Sequence, residues 1–151
     1  MKIYLGADHN GFEYKIQIAQ YLKKLGHEVI DDGDNELNPD DDFPQFASKV
    51  VSNVLVNSGN NSDEVRGILI CGSGQGMCMA ANRYKGIRAS MVSSPAEAQS
   101  ARNDDDSNVL CLAARFTDLK QAELIINVWL LTPFSGAPRF IRRLKQLDQL
   151  G

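Results

Sequence analysis

Cysteine is scarce in this 151-residue chain: Cys71, Cys78 and Cys111 are an odd number, which argues against a disulfide framework. Histidine is scarcer still. His9 and His27 both lie away from any cysteine pair, so no metal site of zinc-ligand spacing is expected. No apolar run approaches the roughly 18 residues of a membrane-spanning helix, and residues 1–7 are too short for a secretion signal, which makes the cytoplasm the expected compartment. Long basic runs are missing too. With 16 Lys and Arg against 19 Asp and Glu, and a net charge of -3, nothing in the chain attracts nucleic acid or an anionic membrane. What is present is core material, 43% hydrophobic residues, enough to fill a single domain over 1–151. A small soluble ligand is the partner this composition suits.

The apolar pattern predicts strands over 2–7, 28–30, 67–71, 87–92 and 108–112. Between and after them it predicts helices over 12–25, 43–56, 75–84, 95–103, 118–131 and 139–150. An acidic segment, 31–42, carries Gly33, Asn35 and Pro39 and reads as a loop, and 57–63 reads as a Ser/Asn/Gly linker. Strand alternating with helix at this interval defines an α/β fold. The expectation is a three-layer Rossmann-like domain with a five-stranded, mainly parallel sheet and helices on both faces. Ligands of such sheets sit beyond the carboxyl ends of the strands, so the residues to inspect are Asp8-His9, Asp31-Asp32, Cys71 to Gly76, Ser93-Ser94 and Ala113 to Arg115.

Cys71-Gly72-Ser73-Gly74-Gln75-Gly76 falls where the third strand turns into a helix. Alternate glycines expose backbone N–H groups, and a helix N-terminus beside them favours an anion and the thiolate form of a cysteine. The spacing fits equally well a tight turn that needs its glycines and a cysteine serving as a small hydrophobe. It does not fit the dinucleotide motif G-x-G-x-x-G or the P-loop, so those ligands are disfavoured. Cys78 and Cys111 fall inside a helix and a strand and read as core. Asp8-His9 brings a carboxylate and an imidazole to the same sheet edge, where the pair suits either a ligand or the cap of the first helix. Arg139 and Arg143, four apart, share one side of the last helix: a phosphate clamp or a solvated basic face, with Arg142 turned away.

Matches along the chain resemble type B ribose-5-phosphate isomerase and the subunits of galactose-6-phosphate isomerase, from Met1 to about Leu147. They are Gly6-Ala7-Asp8-His9 with Gly11, Asp42-Phe43-Pro44, Gly67-Ile68-Leu69-Ile70-Cys71-Gly72-Ser73-Gly74, Ala80-Ala81-Asn82-Arg83, Gly86-Ile87-Arg88-Ala89, Asn108-Val109-Leu110, and Arg139 with Arg143. The resemblance implies an aldose–ketose isomerase of a sugar phosphate, ribose 5-phosphate or a six-carbon analogue, needing no metal and no organic cofactor. Cys71 stands where the family has its proton-transfer base, and Gly72, Ser73, Gly74, Gln75 and Gly76 stand where it holds the enediolate oxygens. Asp8 and His9 match substrate contacts. Arg139 and Arg143 match a phosphate clamp supplied by a neighbouring subunit, which implies a homodimer or a dimer of dimers.

The same comparison shows departures around the sugar. Asp104 stands where the family carries its ring-opening histidine, and Asp105 where it carries an enediolate-binding asparagine. Phe140 replaces a histidine beside the first clamp arginine, and Phe43 replaces the tyrosine of an Asp-Tyr-Pro motif. Two donors have become two acids. A sugar-phosphate-binding protein without catalysis is the competing reading, and the retained Cys71 favours the enzyme.

Overall fold

The computed structural model describes residues 1–59 and 64–150. Its five strands, β1 (Lys2–Ala7), β2 (Glu28–Asp31), β3 (Val65–Cys71), β4 (Ala89–Met91) and β5 (Val109–Ala113), form one sheet in the order β2-β1-β3-β5-β4. Every pairing is parallel, so the expected mixture reduces to a wholly parallel sheet. Among the described residues six α-helices accompany it: α1 (Phe12–Lys24), α2 (Phe43–Asn57), α3 (Gln75–Ala81), α4 (Pro95–Asn103), α5 (Leu119–Leu131) and α6 (Pro138–Leu147). A single 3-10 turn, His9–Gly11, joins β1 to α1.

Alternation along each strand sorts the side chains into two cores. Ile68 and Ile70 of β3 pack with Leu110 and Leu112 of β5 against Ile18 and Leu22 of α1, Ala98 of α4, and Ile125 and Trp129 of α5. Leu69 and Cys71 face the other way, with Val109 and Cys111, against Phe46, Val50 and Val54 of α2 and Met77 of α3. Burial on both faces explains why β3 reads as an unbroken apolar run. It starts two residues earlier than the pattern predicts, because Val65 and Arg66 pair with Lys2 and Ile3.

Other boundaries shift for local reasons. α3 stops at Ala81 because Asn82 turns its amide onto β4: its Nδ2 donates to the Ala89 carbonyl and its Oδ1 accepts from the Ala89 N–H, both at 2.9 Å. β4 keeps only three residues of its predicted span, since Arg88 N–H bonds the Asn108 side chain at 2.8 Å before the ladder begins. α6 starts on Pro138, a residue suited to a first turn, and ends at Leu147, short of the predicted 150. Of the linker read over 57–63, Asn57 closes α2, and 60–63 lie outside the described residues.

Candidate active site

β3 delivers Cys71 to the carboxyl edge of the sheet with only 5% of its surface exposed. The Gly74 N–H donates to Cys71 Sγ at 3.1 Å. That approach requires Gly74 at φ +75, where a Cβ would also meet Met91 Cγ at 2.9 Å, so glycine is needed twice over. Ser73 Oγ accepts from Gln75 N–H at 3.4 Å. The turn after β5 is stitched to this loop: Ala114 N–H donates to the Cys71 carbonyl at 2.9 Å and Arg115 N–H to the Gly72 carbonyl at 3.0 Å. Arg115 then lays its side chain over Gly72, where a Cβ would meet Nε at 2.9 Å. A cation thus stands directly above the glycine loop.

Asp8 and His9 reach the same edge. Asp8 is buried and caps the 3-10 turn, its Oδ1 accepting from Gly11 N–H at 3.1 Å, whereas α1 starts from Gly11 without a side-chain cap, so the expected cap falls on the turn before the helix. Burial pushes its carboxyl above the usual range, and the Gly11 hydrogen bond opposes this. His9 Nδ1 lies 2.7 Å from Oδ1 of Asp41, whose side chain is only 2% exposed. On the other side of the ring, Asn10 Nδ2 lies 2.8 Å from His9 Nε2, and Arg115 Nη2 donates to Asn10 Oδ1 at 2.7 Å. The Asp41 hydrogen bond raises the His9 pKa, with help from the Asp8 charge, against desolvation and the Arg115 charge. The loop that carries Asp41 is anchored by Lys15, a fully buried lysine donating to Asp31 Oδ1 at 2.9 Å and to the Asp34 carbonyl at 2.7 Å.

The remaining sequence candidates lie elsewhere in the chain. Asp104 and Asp105 follow α4 and precede β5, which puts them at the amino edge of the sheet. β5 runs four residue steps from Val109 to Ala113, the partner of Cys71, so at ~3.3 Å each the two acids lie on the order of 13 Å or more from Cys71. Asp104 accepts from Asn103 Nδ2 at 2.7 Å, and Asp105 is exposed. Their loop is rigidly held: Asp106, at φ 47, is gripped by Arg88 at 2.7 Å and Arg102 at 2.8 Å. Ser135 N–H donates to the Asn103 carbonyl at 3.1 Å, so α6 also begins at this far end. On α6 the Arg139 and Arg143 guanidinium groups flank the Phe140 ring, 4.6 and 5.9 Å from its centre. They share one side as predicted, while Arg142 borders a different hollow with Ile141 and Lys145. One chain therefore unites Cys71, Gly72 to Gly76, Asp8 and His9, and leaves Asp104, Asp105, Arg139 and Arg143 apart from them.

Of the other cysteines, Cys111 is core as expected, but Cys78 is only half-buried. A hydrogen bond with Cys111 brings the Cys78 pKa down to about 7. Beside the glycine loop, Phe43 and Pro44 of α2 and Met79, Ala80 and Tyr84 line an open apolar hollow of about 370 Å³. Asn10, Asp41 and Arg115 are the site residues that sequence reasoning did not single out. Arg115 lay within a strand-end segment marked for inspection, whereas Asp41 carried no signal in a loop rich in acids.

The sequence and the fold both match known proteins. The family model described as ribose/galactose isomerase matches residues 3–147. A probable ribose-5-phosphate isomerase B of Mycoplasma genitalium is 40% identical over 148 residues, covering 98% of this chain and 92% of that protein. Ribose-5-phosphate isomerase B of Escherichia coli is 41% identical over 135 residues, covering 89% and 87%. Among solved structures, the Thermotoga maritima ribose 5-phosphate isomerase superposes with a TM-score of 0.91 at 39% identity, over 99% of this chain and 98% of that one. The M. genitalium enzyme with bound ribulose-5-phosphate gives 0.91 at 39%, over 98% and 94%. The chain belongs to the ribose/galactose isomerase family.

Proposed function

We propose that this protein interconverts ribose 5-phosphate and ribulose 5-phosphate by cysteine-based proton transfer through an enediolate. The observation that carries this reading is the Cys71 thiol held by the Gly74 N–H inside a glycine loop and beneath Arg115. Proton abstraction beside a carbonyl needs a base and a preformed site for the oxyanion. Cys71, as thiolate, takes the proton from C2 of the open-chain aldose and returns it to C1. The hydroxyl proton of O2 moves to O1, and N–H groups of the loop, with Ser73, hold the enediolate oxygens between the two transfers.

The phosphate end falls to Arg115, which is exposed at this edge, and to His9, which is half-buried beside it. Arg139 and Arg143 complete it from a second copy of the chain, because within one chain they begin at the opposite end of the sheet. Asp104 and Asp105 enter by the same route. α6 suits such an exchange: of its residues only Phe140 is buried. We place this single catalytic domain in the cytoplasm, as a homodimer or a dimer of dimers. A six-carbon sugar phosphate is the second reading, favoured by the two acids at the sugar end.

Incubation with ribose 5-phosphate in deuterated water tests the reaction. Ketose formation with label at C1 is expected, and Cys71→Ala should lower turnover by about 10³-fold or more. Wild-type protein giving neither ketose nor label excludes the pentose phosphate and moves the search to six-carbon substrates.

A further inference from the structure

The state of the His9 ring follows from what its neighbours are able to donate or accept. Arg115 has only donors, so the Asn10 amide must turn its oxygen to Arg115 and its NH₂ to His9. His9 Nε2 therefore accepts and carries no proton. The Asp41 carboxylate only accepts, so the ring proton sits on Nδ1. A cationic ring would set Nε2–H against the NH₂ of Asn10, donor against donor. Among the described residues the charged groups acting on His9 are Asp8, Asp41 and Arg115. The two acids pull the ring toward the cation, and Asn10, oriented by Arg115, opposes them.

We propose that Asn10 is a positioning residue that keeps His9 neutral until a phosphate group displaces it from Arg115. This rests on the reading that this edge takes a sugar phosphate. A dianion that engages the guanidinium frees Asn10 Oδ1, and the amide turns over to accept from Nε2. A proton from solvent then occupies Nε2, so the site gains one positive charge for each anion bound. His9 becomes a second cation for the phosphate only once Arg115 has made the first contact.

Nitrogen-15 resonances of the His9 ring, distinguished from His27 with a His27→Gln variant, test this in the intact protein at pH 8. Inorganic sulfate is the probe, because its charge does not titrate there. Ligand-free protein should show Nδ1–H and an unprotonated Nε2. Saturating sulfate should give a doubly protonated ring, with uptake of up to one proton seen by calorimetry in buffers of different protonation heat. Asn10→Ala should raise the His9 titration midpoint by about one pH unit, the effect of one lost opposing contact. An Nε2–H ring in the free protein, no sulfate binding, ring nitrogens that ignore bound sulfate, or an unmoved midpoint in Asn10→Ala would each overturn the proposal. Isomerisation of ribose 5-phosphate is assayed on the same samples. Turnover with an unresponsive His9 sinks the proposal and leaves the function standing. A responsive His9 without turnover does the reverse.

Discussion

At the residue scale, the proposed sugar end of the site is where this chain departs from the family pattern it resembles. Opening a cyclic sugar requires a group that gives a proton to the ring oxygen and takes one from the hydroxyl at C1. Asp104 stands where the family resemblance puts a histidine, the side chain whose two ring nitrogens give and take a proton in turn. Asp104→His should therefore raise turnover on the cyclic form by ~10-fold or more, within the usual range for a general acid. Open-chain substrate generated in situ should gain little. Equal rates for variant and wild type on the cyclic form would remove Asp104 from ring opening. The contrast with Cys71 is instructive, because its loop is contiguous and its glycines announce it. Asp41 meets His9 across 32 residues and Arg115 meets Asn10 across 105. No local pattern in the chain records such contacts, which is why Asn10, Asp41 and Arg115 were not singled out from the sequence.

At the scale of elements, the turn from β3 into α3 decides where the thiol points. Gly74→Ala would force φ +75 on a residue with a side chain and drive its Cβ into Met91. The Gly74 N–H would leave Cys71 Sγ. Loss of one such donor at a reacting group costs on the order of 10²-fold in kcat. We expect that loss with the far-ultraviolet spectrum preserved, since the strain is local; wild-type kcat in a folded Gly74→Ala protein would show that the contact is dispensable. Strands and helices were legible because burial on one or two faces imposes a period of two or of 3.6. Ends were less so: α3 and β4 were shortened by Asn82 and Asn108, side chains that take up backbone bonds which periodicity assigns to the element itself.

At the scale of the whole molecule, the proposed site is divided between the two edges of one sheet. Mixing offers a direct check. Cys71→Ala and an Arg139→Ala/Arg143→Ala double variant should each be nearly inactive alone. Random pairing after joint refolding would restore one intact site in each mixed dimer, roughly a quarter of wild-type activity. Mixtures no more active than their components would place the clamp and the thiol in the same chain. Spacing within one chain does not state which residues a second copy will supply, and here only the family resemblance assigned Arg139 and Arg143 to a neighbouring subunit.

The grip of Asn82 on Ala89 bears on how such copies come together. By offering β4 the donor and acceptor that a neighbouring strand would offer, the side chain seals that margin of the sheet, while β2 at the other margin carries Glu28 and Asp31. Exposed strand margins invite open-ended stacking of molecules into fibres. Here Asn82 blocks sheet extension at Ala89, so the homodimer proposed above would close through helices such as α6. A closed pair of that sort has a finite number of members and would stop there.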